Sequence, residues 1–355
     1  MAEHSTARLR ADFRSDTVTR PTAAMRRAML AAPVGDDVFG DDPTVAALEQ
    51  KSARLLRKPA ALFVASGSMG NLLAAAGHTR RGEEMIIGAL SHFNLWEGAS
   101  AAQVAAVNKR AIPENDDGGL DPARIAAAIQ EHDVHCARTA LVCWEITHNP
   151  KGGAIPDWPT VLAGVRVARR QGLKTHLDGA RLFSAVVETG RSAAAFAAPF
   201  DSVTFCLSKN LGAPIGSVLV GSAEFIAAAR RLRKMLGGGW RQAGILAAAG
   251  LYALEHHVER LRDDHRLARE VAAELCGWPG VTLAQAKVET NIVYVKFVDP
   301  RGRPARDCTW LVGALRQRGV GCEVVCGAIR FVTHLDVNAR SVALLRRALR
   351  AIFSA

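Results

Sequence analysis

The chain has 355 residues, 49% of them hydrophobic and 22% charged, with a formal net charge of +11. That length and apolar content suffice for a large core without disulfides or a structural metal, and no apolar run is long enough to span a bilayer. The positive charge is mostly arginine scattered along the chain; with only 6% aromatic residues it forms no base-stacking surface, which argues against nucleic-acid binding and for a small anionic ligand.

Residues 1–20 read as an arm. Its first ten residues are polar and lack the apolar segment of a secretory signal. The seven cysteines include no C-x-x-C pair. Both features predict a reduced, cytoplasmic protein, and no metal site is expected. A helix follows over 22–32, then a loop rich in Gly, Asp and Pro over 35–43. Asp42 caps the next helix, with Pro43 at its first position, and that helix runs to 57.

Strands and helices then alternate. Strands are expected over 60–65, 85–87, 104–107, 140–146, 173–177, 203–207 and 216–221. Helices are expected over 68–76, 94–101, 122–130 and 158–170. This alternation predicts an α/β fold with a mostly parallel seven-stranded sheet covered by helices on both faces. A helix over 223–236 ends at Gly237-Gly238-Gly239, and one long alanine-rich helix is expected over 242–275. Strands over 281–283, 292–297, 321–325 and 329–332, with helices over 305–318 and 338–352, predict a small α+β domain. The expected division is an arm (1–20), a large domain (21–250) and a small C-terminal domain (251–355).

Three strand ends carry chemistry. The run Asp201–Leu207 ends in Ser208-Lys209. A lysine at the mouth of a buried strand loses hydration, and an amine relieved of its charge is the nucleophile of Schiff-base chemistry. The run Phe63–Ala65 ends in Ser66-Gly67-Ser68-Met69 at a helix start, where free N–H groups and the helix dipole favour phosphate. Taken alone, that turn reads equally as a plain strand-to-helix connection. The run Leu173–Leu177 ends in Asp178-Gly179-Ala180-Arg181, and ligands of open α/β sheets bind beyond such carboxyl ends. A lysine, an acid and a phosphate-binding helix start are the groups that pyridoxal phosphate requires.

Seven segments together resemble the low-specificity L-threonine aldolases, within the β-eliminating-lyase branch of the fold-type-I (aspartate-aminotransferase-like) pyridoxal phosphate enzymes. They are Arg14–Pro21, Gly35–Pro43, Thr147-His148-Asn149, Asp178–Arg181, Leu207-Ser208-Lys209, Gly237–Gln242 and Arg330–Asp336. The resemblance implies retro-aldol cleavage of L-threonine, L-allo-threonine and related β-hydroxy-α-amino acids to glycine and an aldehyde. It implies that Lys209 holds the cofactor covalently, next to Ser208, and that Asp178 pairs with its ring nitrogen. Gly67, Ser68 and Met69 would lie at the phosphate, with Arg241 reaching it from a neighbouring subunit. His92 would lie against the ring, His148 would face the β-hydroxyl, and Ser15, Arg181 and Arg330 would grip the substrate carboxylate. His334 and Asp336 are assigned a structural role. A homo-oligomer is implied, a tetramer built as a dimer of dimers.

The chain departs from the family pattern at Phe39, where a tyrosine is usual, at Ile146, where an asparagine is common, and at Met69-Gly70. A more apolar pocket is expected from Phe39 and Ile146, which favours bulkier or aromatic β-hydroxy amino acids. The alternative on the same cofactor is another fold-type-I lyase or a racemase. His148, His92 and a bound water all remain open as the base.

Overall fold

The structure is a computed structural model that describes residues 9–303 and 306–354. The first eight residues of the expected arm, and residues 304 and 305 before the last strands, lie outside the described residues.

Among the described residues, thirteen strands occur in chain order: β1 (Ala11–Asp12), β2 (Ala60–Val64), β3 (Glu84–Gly88), β4 (Asn108–Ile112), β5 (Thr139–Glu145), β6 (Lys174–Gly179), β7 (Ser202–Cys206), β8 (Ser217–Gly221), β9 (Val281–Leu283), β10 (Ile292–Phe297), β11 (Val320–Gly321), β12 (Glu323–Val325) and β13 (Ala328–Val332). Seven of them form one sheet in the order β2-β8-β7-β6-β5-β3-β4. The pairs β4/β3, β3/β5, β5/β6 and β6/β7 are parallel, and β8 runs antiparallel to both its neighbours. Every residue of β5, β7 and β8 is buried. That is why these strands read as continuous apolar runs rather than alternating ones: helices cover both faces.

On one face, Leu48, Ile125, Val161, Leu182, Phe196 and Ala247 bring six helices onto the sheet. On the other, Leu72, Leu73, Phe225 and Ile226 bring the helices Gly67–His78 and Ala223–Met235. The C-terminal strands form a separate antiparallel sheet, β12-β13-β10-β9, with its own core. Ala11 and Phe13 of the arm belong to that second core, and β1 pairs in parallel with β11. Hence the arm crosses from the C-terminal unit to the edge of the large sheet.

Several expected elements differ. The edge strand is Asn108–Ile112 rather than 104–107. Its polar start suits an edge, and its charges are satisfied laterally: Arg110 Nε donates to Glu84 at 2.7 Å and Lys109 Nζ to the Asn94 carbonyl at 2.8 Å. The expected 94–101 helix is two short turns, His92–Leu95 and Ser100–Gln103. The long helix is two, Gly244–His256 and Leu261–Cys276. No glycine or proline marks that interruption; instead His257 Nδ1 donates to the Leu211 carbonyl at 2.7 Å. The helices Leu182–Thr189 and Ala193–Ala197 are additional to the expected ones, and the expected 321–325 strand is divided between β11 and β12.

Asp42 shows how the loops near the sheet edge are fastened. Its carboxylate caps the helix Pro43–Leu56 through Thr44 and Val45, at 3.0 and 2.9 Å, a contribution of about 1 kcal/mol. It also accepts from the backbone N–H of Gly35 and Gly244, at 3.2 and 2.8 Å. A side chain at 244 would collide with it, since a Cβ there lies 2.6 Å from Asp42 Oδ1.

Candidate active site

The carboxyl edge of the large sheet gathers the turns after β2, β3, β5, β6 and β7. A cavity of about 210 Å³ opens there. Among its walls are Gly67 and Ser68, His92 and Glu97, Asp178, Ser208 and Lys209, with Thr17 of the arm over them.

Lys209 follows β7 in a turn that Gly212, at φ +78°, closes through its N–H to the Lys209 carbonyl. Thr19 Oγ1 donates to the same carbonyl at 3.1 Å, which ties the arm to the lysine. Lys209 itself is half-buried.

The helix Gly67–His78 begins at the cavity. Ser66, not Ser68, is its N-cap: Ser66 Oγ accepts the Met69 N–H at 3.2 Å. The N–H groups of Gly67 and Ser68 at the helix start remain for a ligand. Gly67 must lack a side chain, because a Cβ would lie 2.8 Å from Cys206 Sγ. Met69 packs beside Gly238 and does not line the cavity.

Asp178 ends β6. Its Oδ1 accepts the Ala180 N–H at 3.0 Å and its Oδ2 accepts from Asn71 Nδ2 at 2.8 Å. The same amide donates to Glu97 Oε1 at 2.9 Å, and His92 Nδ1 donates to that oxygen at 2.9 Å. The other Glu97 oxygen is buried without a partner. Burial, with Asp178 close by, pushes the Glu97 carboxyl up against the pull of His92 and Asn71. His92, Glu97 and Asp178 each offer a ligand atom within 4.8 Å of the others, so the trio has the donors for a cation as well as for a ring nitrogen.

The remaining expected residues stand behind or beside the cavity. Arg181 is buried and its Nε and Nη2 are taken by Asp16, at 2.6 and 2.7 Å. Arg330 Nη2 donates to the Arg14 carbonyl at 3.0 Å, while its Nε is buried without a partner. Ser15 caps a single helical turn, accepting from Thr17 N–H at 3.2 Å. His148 is enclosed; its Nε2 lies 3.3 Å from Glu114 Oε1 and its Nδ1 has no partner. Burial alone lowers the His148 pKa, but Glu145 and Glu114 outweigh it and the net shift is upward. Arg241 is exposed and pairs with Asp36 at 2.9 Å, away from the cavity of its own chain. Neither Phe39, which borders a separate depression beside Arg230, nor the buried Ile146 reaches the cavity within one chain.

Four residues of this site were not singled out in the sequence: Asp16, Asn71, Glu97 and Glu145. Glu145 accepts from the backbone N–H of His92 at 2.7 Å and of Asn149 at 2.9 Å, joining the turns after β3 and β5. Asp16 lies inside a segment already recognised, but its partner is 165 residues away.

The site's donors match pyridoxal phosphate. A helix start with an obligatory glycine suits a phosphate, a held carboxylate suits a ring N–H, and an amine lies on the same cavity wall. The Beta-eliminating lyase family model matches residues 12–297. The low specificity L-threonine aldolase of Escherichia coli strain K12 is 42% identical over 335 residues, covering 94% of this chain and 96% of that protein. A probable low-specificity L-threonine aldolase 2 of Arabidopsis thaliana is 42% identical over 334 residues, covering 92% of each. A solved structure of Leishmania major threonine aldolase shares the fold with a TM-score of 0.79 at 20% identity, covering 96% of this chain and 99% of that one.

Proposed function

The chain belongs to the Beta-eliminating lyase family, and from that premise we propose that it cleaves L-threonine and related β-hydroxy-α-amino acids to glycine and an aldehyde, with pyridoxal phosphate as cofactor. The observation that carries this reading is the common cavity of Lys209, Asp178 and the Gly67 helix start, in a chain 42% identical to an L-threonine aldolase over nearly its whole length.

Lys209 Nζ is the amine that would hold the cofactor covalently. Asp178, held by Asn71 and the Ala180 N–H, keeps a proton on the ring nitrogen. Gly67 and Ser68 hold the phosphate. When bound, pyridoxal phosphate supplies the electron sink that lets the Cα–Cβ bond break. Arg330, and the free Nη1 of Arg181, orient the substrate carboxylate, with Ser15 beside them; arginine suits this task because its planar fork matches a carboxylate. His92 borders the cavity and His148 is enclosed behind it, so His92 is the imidazole that an incoming β-hydroxyl meets. Its Nδ1–H is occupied by Glu97, which leaves Nε2 to take a proton.

The working unit is a homo-oligomer, with Arg241 serving the phosphate of a neighbouring copy. Its distance from its own cavity supports this, as do the exposed apolar side chains of Val34, Val38 and Phe39 in the loop beside it. The proposed division is an arm (1–20), a large domain (21–250) and a small domain (251–355); the first core extends past 250 through Ala253, Leu254 and Leu261, and Ala11 and Phe13 of the arm pack in the second. All seven cysteines are free, in keeping with a cytoplasmic protein, and among the described residues no helix is long and apolar enough to cross a membrane.

The decisive experiment incubates the purified protein with L-threonine, L-allo-threonine and L-phenylserine and measures glycine and aldehyde. Both products are expected. Pyruvate and ammonia, or racemised substrate, would instead assign the chain to another reaction on the same cofactor. Lys209→Ala should abolish turnover and the visible band that borohydride bleaches in the parent. Mixing Lys209→Ala with Arg241→Ala subunits should restore part of the activity that each lacks alone, if the arginine acts across the interface.

A further inference from the structure

Asp178 is the end of a hydrogen-bond chain that runs away from the cavity through the sheet. His78 Nε2 lies 2.8 Å from Ser202 Oγ. Ser202 Oγ lies 2.8 Å from His176 Nδ1. His176 Nε2 lies 3.1 Å from Asn71 Oδ1, and Asn71 Nδ2 reaches both Asp178 and Glu97. Asn71, His176 and Ser202 are completely buried.

The direction of every bond follows from its end. Carboxylates accept, so the amino group of Asn71 faces Asp178 and Glu97 and its oxygen faces His176. That oxygen only accepts, so His176 carries its hydrogen on Nε2. A neutral imidazole then has a bare Nδ1, and the Ser202 hydroxyl donates to it. The Ser202 oxygen is left to accept from His78 Nε2–H.

Neutrality is secured by the surroundings. Burial pushes His176 down to about 3, and His78 beside it pushes the same way against the opposing pull of Asp178. Burial pushes His78 down to about 4, against Asp201 and with Lys174. Both rings therefore stay uncharged from mildly acidic to alkaline pH. All the donors point toward Asp178, and aligned bonds of this kind polarise one another.

We infer that Asn71, His176 and Ser202 are positioning residues that lock the Asn71 amide with one N–H on each of two carboxylates, so that Asp178 meets the cofactor's ring nitrogen in one fixed orientation. Without His176 to hold its oxygen, the Asn71 amide is free to rotate and set Oδ1 against the carboxylates. This rests on the proposed cofactor and goes beyond it, because Ser202 and His176 do not line the cavity and act only through Asn71.

The test is titration of the apoprotein with pyridoxal phosphate, followed by absorbance, together with the pH midpoint of the bound cofactor's visible band. Ser202→Ala removes one hydroxyl at a distance from the cavity. Its Kd should rise on the order of threefold to tenfold, the worth of one neutral hydrogen bond, and the midpoint should move. Asn71→Asp replaces both N–H groups with a third carboxylate and should weaken binding on the order of a hundredfold. If Ser202→Ala lowered the unfolding temperature but changed neither Kd nor the midpoint, the chain would be a packing feature and the inference would fall. Should Ser202→Ala not fold, Asn71→Asp with unchanged Kd would refute it equally. If the parent protein bound no pyridoxal phosphate, the proposed function would fail with it, a result that an effect confined to the variants does not give.

Discussion

Asp16 and Arg181, 165 residues apart in the chain, meet as a two-pronged buried ion pair, Nε to Oδ2 at 2.6 Å and Nη2 to Oδ1 at 2.7 Å. The pair fastens the arm to the turn after β6. Asn291, immediately before β10, adds a third donor to Asp16 at 3.2 Å. Three parts of the fold are thus joined next to Lys209.

Burial by itself raises the Asp16 pKa, but Arg181, Lys209 and Asn291 overcome it and hold the group well below its ordinary 3.8. A depressed carboxylate pKa contributes stability that is complete above the unfolded value and disappears as pH falls through the lower folded one. Asp16→Asn should therefore cost on the order of 3–5 kcal/mol at neutral pH, because a buried guanidinium loses its counter-charge. It should also remove part of the parent's loss of stability below pH 3.8. Urea unfolding of the apoprotein across the acid range measures both effects.

Glu114 and Glu145 raise the His148 pKa above 6.5 despite burial. The sign is opposite to that of Asp16: the stabilisation is full below 6.5 and is lost as pH rises through the higher folded value. Two glycines make room for the pair, since a Cβ at 88 would lie 2.3 Å from Glu114 Oε1 and one at 118 would lie 2.5 Å from the His148 ring. Glu114→Gln should bring the imidazole pKa down, and its stability should fall less than the parent's between pH 6.5 and alkaline conditions. Unfolding curves at several pH values, or a histidine NMR titration, would read this.

Gly70 brings the helix Gly67–His78, whose start is proposed to hold the phosphate, directly against β7. A Cβ there would lie 2.6 Å from the Thr204 side chain. Gly70→Ala should lift the helix from the sheet, cost about 1–3 kcal/mol, and weaken pyridoxal phosphate binding. Thermal unfolding and cofactor titration would give the two effects separately. A variant with unchanged cofactor affinity would mean that the helix start does not hold the phosphate.

Arg330 lies across from Tyr294 in the β10/β13 pair, with Nε unpartnered. Arg330→Lys keeps the charge and loses the planar fork. It should lower kcat/KM for L-threonine on the order of tenfold to a hundredfold, the worth of a hydrogen bond to a charged group, with cofactor affinity unchanged. Steady-state kinetics alongside a cofactor titration would check this.

The amino-acid sequence by itself determined an α/β fold with a mostly parallel seven-stranded sheet, most of the helices that flank it and the strand ends that present Gly67, Asp178 and Lys209. Each of these depends on neighbours within about ten residues, through apolar runs, caps and glycine turns, so the pattern is printed locally. The tertiary structure alone decided that Asp16 occupies Arg181, that Asn71 bridges Glu97 and Asp178, that Glu114 backs His148, and that His257 interrupts a long helix at the Leu211 carbonyl. Those partners lie between 26 and 165 residues apart. A buried polar group takes whichever partner the packed chain brings within about 3 Å, and no periodicity along the sequence records that choice.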